Sequence, residues 1–198
     1  VLRKSNRGHT STSVYEAVSL IKEYGFEFGI QLMIGLPGDS LETCIYSAKE
    51  AVKLKPSLTR LYPTIVIDDT ELLEMYERGE YKPLSREEAV TRTVTMYKIL
   101  DDAGITIMRV GLKSTDIIGE GGSINGGTYH PAFRQLVEGR IARDKIEPHL
   151  DRIVDELRNR YDKSCELTAN HLQGRDLVNE SLNKQRFLRT KVDIFSSP

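Results

Sequence analysis

The strongest constraint in this sequence is an order repeated along its first 112 residues: a capped amphipathic stretch, a glycine or proline stop, then an apolar run of strand length. Ser13 and Glu16 read as a capping box ahead of Val14, Ala17, Val18 and Ile21, which share one helical face, and Gly25 supplies the stop. A helix over about Val14 to Tyr24 is predicted. Phe26 to Ile34 is largely apolar and ends at Gly35-Leu36-Pro37-Gly38, the pattern of a buried strand entering a turn. Asp39 and Glu42 read as a second box, with Leu41, Ile45, Ala48 and Val52 at helical spacing until Pro56 forbids continuation. Leu58 to Val66 resumes strand character, interrupted at Pro63, and Thr70 to Arg78 is a short helix closed by Gly79. Ser85 and Glu88 form a third box, opening a helix through Val90, Val94, Tyr97 and Leu100 to Gly104, and Ile105 to Leu112 is the next strand.

Strands alternating with helices predict a parallel sheet with right-handed crossovers. So few parallel strands leave edges that must be covered, closed into a barrel or paired with another chain, so the expectation is part of a barrel, with a homo-oligomer through the exposed edge as one outcome. Residues 119–130 form a Gly-rich loop, residues 131–160 a helical extension broken or continued at Pro148, and residues 161–198 a small mixed segment. Within that last segment, Cys165 to His171 and Lys191 to Phe195 read as strands around a polar helix.

With 28 basic against 29 acidic side chains there is no global field demanding nucleic acid, an anionic membrane or an acidic substrate, so any such preference must be local. Cys44 and Cys165 are too few and too far apart for a disulfide framework or a zinc pattern, which makes a reducing, cytoplasmic setting the default. No apolar run is long enough to span a bilayer. The opening Val1-Leu2-Arg3-Lys4, without an initiating Met, is read as the inside of a longer protein.

Ligands of α/β barrels and open parallel sheets are handled at the carboxyl ends of the strands. Gly35 to Asp39 lies in such a loop, either letting backbone N–H groups approach a ligand or simply making a strand-to-helix turn. Gln31 is a polar residue inside an apolar strand, hydrogen-bonded in the core or presented to a ligand. Arg60 and Tyr62 share one face of the next strand and Arg109 lies in the third, so these three polar side chains can converge with Gln31. Buried arginines need a carboxylate or phosphate, from a ligand or from the protein.

The succession Asn6-Arg7-Gly8-His9-Thr10, then Gly29-Ile30-Gln31-Leu32-Met33-Ile34-Gly35-Leu36-Pro37-Gly38, then Arg60-Leu61-Tyr62-Pro63-Thr64 resembles the later half of a radical S-adenosylmethionine (SAM) barrel. It is similar to the radical SAM domain of the Elongator catalytic subunit and its bacterial relatives, which share the continuation Thr70-Glu71-Leu72 and Arg78-Gly79-Glu80-Tyr81, and more distantly to oxygen-independent coproporphyrinogen III oxidases. The resemblance implies an α/β fold, a partial TIM-like (β/α) barrel comprising its C-terminal half over residues 1–118, with the N-terminal half as its partner. It implies SAM and a [4Fe–4S] cluster as cofactors of the whole enzyme, SAM being cleaved to a deoxyadenosyl radical that abstracts hydrogen from substrate. Arg7 then matches an arginine on the SAM carboxylate or ribose region, Gln31 a ribose-binding position that is Asp in the coproporphyrinogen enzymes, and Gly35 the strand end beside SAM. Thr64 and Ile65 match a stretch packing on adenine, while Arg60, Tyr62 and Arg109 face the substrate.

The cluster needs three closely spaced thiolates in a CxxxCxxC loop. Cys44 falls in a predicted helix and Cys165 in the tail, so no metal ligand and no catalytic residue is assigned in this chain, which is expected to be inactive alone. The Elongator resemblance leaves tRNA as a partner, and Lys184, Arg186, Arg189 and Lys191 form a basic run that reads either as an RNA contact or as a solvated helix face. No glycine pattern for an acetyl-CoA pyrophosphate follows residue 112. Two alternatives stay open: a porphyrin-directed radical SAM enzyme, and a non-catalytic binding or assembly module.

Overall fold

The computed structural model describes residues 1–115, 118 and 124–169. Its elements run α1 (Ser11–Glu23), β1 (Gly29–Ile34), α2 (Leu41–Leu54), β2 (Leu58–Pro63), β3 (Ile65–Ile67), α3 (Glu71–Glu77), α4 (Arg86–Asp102), β4 (Thr106–Val110), β5 (Ile124–Gly127) and α5 (Phe133–Ala169). The fold is α/β. Strands β1, β2 and β4 form a parallel sheet in that order, and β3 pairs antiparallel with β5. The chain divides into two compact units between Arg143 and Asp144. No helix among the described residues is long and apolar enough to cross a membrane.

Period-two alternation decides which side of the parallel sheet is buried. In β2, Thr59, Leu61 and Pro63 are buried and point to the helices, whereas Arg60 and Tyr62 take the other face. Ile34, Leu61, Ile107 and Val110 from the strands meet Cys44 and Ala48 of α2, Ala89, Met96 and Leu100 of α4, and Phe133 and Val137 of α5 in one core. The sheet is therefore covered on one side. The apolar run predicted as a strand from Phe26 is shorter in the structure, because Phe26 and Glu27 stay exposed and pairing with β2 starts at Gly29. On the far side of β4, Arg134 donates to the carbonyls of Ile107 and Met108 at 3.1 and 3.2 Å, satisfying acceptors that an edge strand would leave to solvent.

Two of the three expected capping boxes sit elsewhere. Thr10, not Ser13, caps α1, with Ser13 answering from the third helical position. Ser40 and Thr43 cap α2, because the carboxylate of Asp39 is bonded to the Gly35 N–H instead. Ser85 and Glu88 cap α4 as predicted, and the Ser85 hydroxyl and backbone N–H hold the Glu88 carboxyl below the usual carboxylate range. Residues 124–127 of the Gly-rich segment are strand β5, and Asn125 donates to Asp68 across the ribbon. Helix α5 runs through Pro148 and includes residues 165–169, so the strand predicted from Cys165 is helical that far. The strand predicted at Lys191, the polar helix and the basic run at Lys184, Arg186, Arg189 and Lys191 lie outside the described residues.

Leu61 is fully buried in the central strand. Leu61→Ala is expected to lower unfolding stability by about 2–5 kcal/mol, read as a shift in urea midpoint at unchanged m-value. Glu88 has a depressed pKa, so its contribution is present above the unfolded carboxyl range and is lost as pH falls through the folded value. Glu88→Gln is accordingly expected to lower the urea midpoint at neutral pH and to match the parent chain in strong acid; an equal gap at both would contradict this account.

Candidate functional site

The turn after β1 is held from the helix side. Gly35 is buried with φ +86°, and a Cβ there would stand 2.8 Å from Leu84 Cδ1, so the turn needs glycine for both conformation and space. Its N–H donates to Asp39 Oδ2 at 2.8 Å and its carbonyl accepts from the buried Tyr81 hydroxyl at 2.7 Å. Both polar groups of Gly35 are thus engaged within the protein. The Asp39 side chain, 6% exposed, also accepts from the Thr43 hydroxyl and from Cys44 Sγ, the latter at 3.1 Å. Arg92 of α4 reaches it from the other side, 3.8 Å from Oδ2 and donating to the Asp39 carbonyl at 3.3 Å.

This network sets two ionisations. Burial, then the Asp39 hydrogen bond and charge, push the Cys44 thiol up to about 12, so it stays a thiol and is a poor metal ligand. Burial and the Asp39 charge likewise push Tyr81 up to about 12, keeping its hydroxyl a donor. Asp39, Tyr81, Lys82, Glu88 and Arg92 line a cleft of ≈ 240 Å³ beside the turn, with charges of both signs. No group of three or more His, Cys, Asp or Glu side chains among the described residues is placed to hold a metal ion.

The opposite face of the sheet has a different character. Gln31, Arg60 and Arg109 are register partners across β1, β2 and β4, and Met33 and Tyr62 form the next pair toward the carboxyl ends. A bulge brings Arg109 there: the register shifts between Thr59 and Arg60, leaving Met108 as the extra residue, so Met108 and Arg109 are both exposed while Ile107 and Val110 stay buried. The loop before α1 adds Arg7, whose Nη1 lies 3.7 Å from Met33 Sδ, and Asn6 donates to Glu71 at the start of α3 at 3.2 Å. Arg60 rests on the Met108 thioether at 3.4 Å. Among the described residues, no carboxylate forms an ion pair with Arg7, Arg60 or Arg109.

Thr64 follows β2 directly. Its N–H donates to the Ile34 carbonyl at 2.8 Å, and its Oγ1 is buried without a hydrogen-bond partner among the described residues. A buried hydroxyl left so costs about 1–3 kcal/mol unless a ligand satisfies it. Ile65 is buried and pairs with Gly127 in the second sheet. The structure therefore gathers Gln31, Arg60, Tyr62 and Arg109 on one face with Arg7 at its end, places Thr64 at the end of β2, and sets Gly35 into the turn network. Asp39, Tyr81, Arg92 and the two thioethers have no place among the candidates predicted from sequence. An acid directly after Gly38 is the one local hint of Asp39, since Tyr81 and Arg92 reach the turn from 46 and 53 residues away.

Residues 56–143 match the family described as the Radical_SAM C-terminal domain. The tRNA uridine(34) acetyltransferase of Methanocaldococcus jannaschii is 33% identical over 130 residues, covering 59% of this chain and 24% of that protein. Elongator complex protein 3 of Homo sapiens is 38% identical over 93 residues, covering 46% of this chain and 17% of that protein. Among solved structures, the archaeal Methanocaldococcus infernus Elp3 with an N-terminal deletion superposes with a TM-score of 0.64 at 29% identity, covering 73% of this chain and 33% of that one. The chain thus spans about a quarter of the first-named curated relative it matches.

Removing the Tyr81 hydroxyl leaves the buried Gly35 carbonyl without its donor. Tyr81→Phe is expected to cost about 1–3 kcal/mol by urea unfolding and to speed amide hydrogen exchange at Gly35; an unchanged Gly35 exchange rate would remove Tyr81 from the turn network.

Proposed function

We infer, from the resemblance of this chain to the radical SAM superfamily and to Elongator-type proteins within it, that it forms the C-terminal part of a radical SAM barrel in an enzyme of tRNA-modification-like chemistry. The observation that carries this reading is the likeness to the Methanocaldococcus infernus Elp3 structure over 73% of the chain. Three parallel strands in the order β1-β2-β4, with helices on one side and a polar face on the other, suit a segment of barrel wall. On this reading the helices form the outside and the Gln31–Arg60–Arg109 face looks inward. The remaining strands come from the other part of the barrel. One relative named above is a tRNA uridine(34) acetyltransferase, which favours the RNA-directed reading over the porphyrin one.

Thr64 tests whether SAM suits these residues. A buried hydroxyl with no partner among the described residues, at the carboxyl end of a strand, is what a site completed by a polar ligand leaves behind. The residues fit: Thr64 offers the hydroxyl, Gln31 an amide, and Arg7 a guanidinium free of any carboxylate among the described residues, for the ribose and carboxylate of SAM. Ile65 and Gly35 complete the wall, Gly35 as part of a turn held rigid by Asp39 and Tyr81. When bound, SAM and a [4Fe–4S] cluster supply one-electron chemistry that removes a hydrogen atom from substrate. This chain orients and shields; the cluster thiolates are provided by another part of the enzyme, since Cys44 is buried as a thiol.

Arg7→Ala removes a charge-assisted contact worth about 1.5–3 kcal/mol, so SAM affinity of the cluster-loaded enzyme is expected to fall about tenfold or more in equilibrium dialysis. Unchanged affinity would take Arg7 out of the SAM site. In filter binding, tRNA affinity of the same enzyme is expected to fall steeply with salt, and salt-independent binding would count against the RNA-directed reading.

A further inference from the structure

The open face of the parallel sheet holds polar side chains that the protein itself leaves unanswered. Arg60 and Arg109 are direct register partners on adjacent strands. Neighbouring strands lie about 4.8 Å apart, and like charges facing each other across them are destabilising. The chain nevertheless spends a bulge on this juxtaposition, since unbroken alternation from the buried Ile107 would have turned Arg109 to the helix side. Hydrogen bonding relieves little of the repulsion: the Arg60 guanidinium touches a thioether, a weak acceptor, and Arg109 has no ion pair among the described residues. Gln31, the register partner of Arg60 on its other side, and Tyr62 one row on have no side-chain hydrogen bond among the described residues.

We propose that this row is a phosphate site, in which the guanidinium forks of Arg60 and Arg109 together take the dianionic terminal phosphate of a small ligand, with Tyr62 as a flanking hydrogen-bonding group. The proposal rests on the inward-facing, substrate-side placement of this face. A carboxylate carries one charge and would leave a cation of the pair uncompensated. A phosphomonoester carries nearly two above its second pKa of about 6, and its tetrahedral oxygens can accept from two planar forks at once. Strand spacing decides between a monoester and the monoanionic diesters of an RNA backbone. Two guanidiniums rooted about 4.8 Å apart converge on one doubly charged group, whereas separate diester contacts require cations strung along a groove.

The test uses the 198-residue chain, without SAM or cluster. Glycerol 3-phosphate is titrated into isotope-labelled protein while the arginine Nε–Hε resonances are followed by NMR. The proposal predicts saturable shifts confined to Arg60 and Arg109, at least tenfold weaker binding in Arg60→Gln and in Arg109→Gln, and only partial recovery in Arg60→Lys, which restores charge without the fork. Binding should also tighten as pH rises through about 6, where the ligand gains its second charge. Equal shifts at Arg60, Arg109 and Arg158, the last belonging to the second unit, or affinity unaltered by either substitution, would overturn it. So would an RNA oligomer lacking terminal phosphates that binds this row more tightly than the monoester. Failure here leaves SAM affinity and its dependence on Arg7 unaffected, so it is distinguishable from failure of the barrel reading.

Discussion

The carboxylate of Asp39 ties the parallel sheet to the helices that cover it. Almost fully buried, it accepts from the Gly35 N–H at the end of β1, from Thr43 and Cys44 in α2, and lies beside Arg92 of α4. A charge so placed is tolerated because every direction of approach brings a donor or a cation, and loss of any one would strand the rest. Its engagement explains why Ser40, one residue later, is the cap of α2. It also explains why the turn after β1 has one shape: with Tyr81 on the carbonyl, neither backbone group of Gly35 can rotate away without orphaning a buried partner.

That fixed turn separates two kinds of polarity. On the helix side, polar groups satisfy one another, and the environment keeps Cys44 and Tyr81 protonated, so they contribute structure and no reactivity. On the open side, Gln31, Arg60, Tyr62 and Arg109 have, among the described residues, no side-chain partner beyond a thioether, and the Thr64 hydroxyl is buried without one there. Self-satisfied networks rigidify; unsatisfied groups on a rigid frame bind. The division follows from one-sided packing of a parallel sheet, which buries alternate residues of each strand and leaves the intervening ones to a ligand or to further chain.

How much of this was legible in the sequence depends on how local the deciding interaction is. Ser85 and Glu88 were readable because both partners of the box lie within four residues and nothing distant competes. Asp39 and Glu42 have the same spacing and failed as a box, since the deciding contact runs backward to a backbone N–H in the preceding turn. Period-two reasoning correctly grouped Arg60 with Tyr62. For Arg109 it would have given the wrong face, because a bulge is set by pairing with β2 and leaves no mark in β4 alone. Glycines at 126 and 127 suggested a loop, yet Gly127 lies so close to Thr64 and Ile65 that a Cβ would meet the Thr64 carbonyl at 2.8 Å; there glycine permits strand pairing.

The same locality explains why the candidate site was more visible than the framework holding it. Residues of the open face stand out as polar interruptions in apolar strands, and Gln31, Arg60 and Arg109 are of that kind. Framework residues such as Tyr81 and Arg92 sit in segments whose composition is ordinary, and they acquire meaning only through an acceptor far away in sequence. A substitution at Tyr81 therefore acts on the turn beside the site, through the orientation of Gly35, whereas one at Arg60 acts on the face itself and leaves the turn in place. The two kinds of residue differ in what they touch, and the one-sided sheet is what keeps them apart.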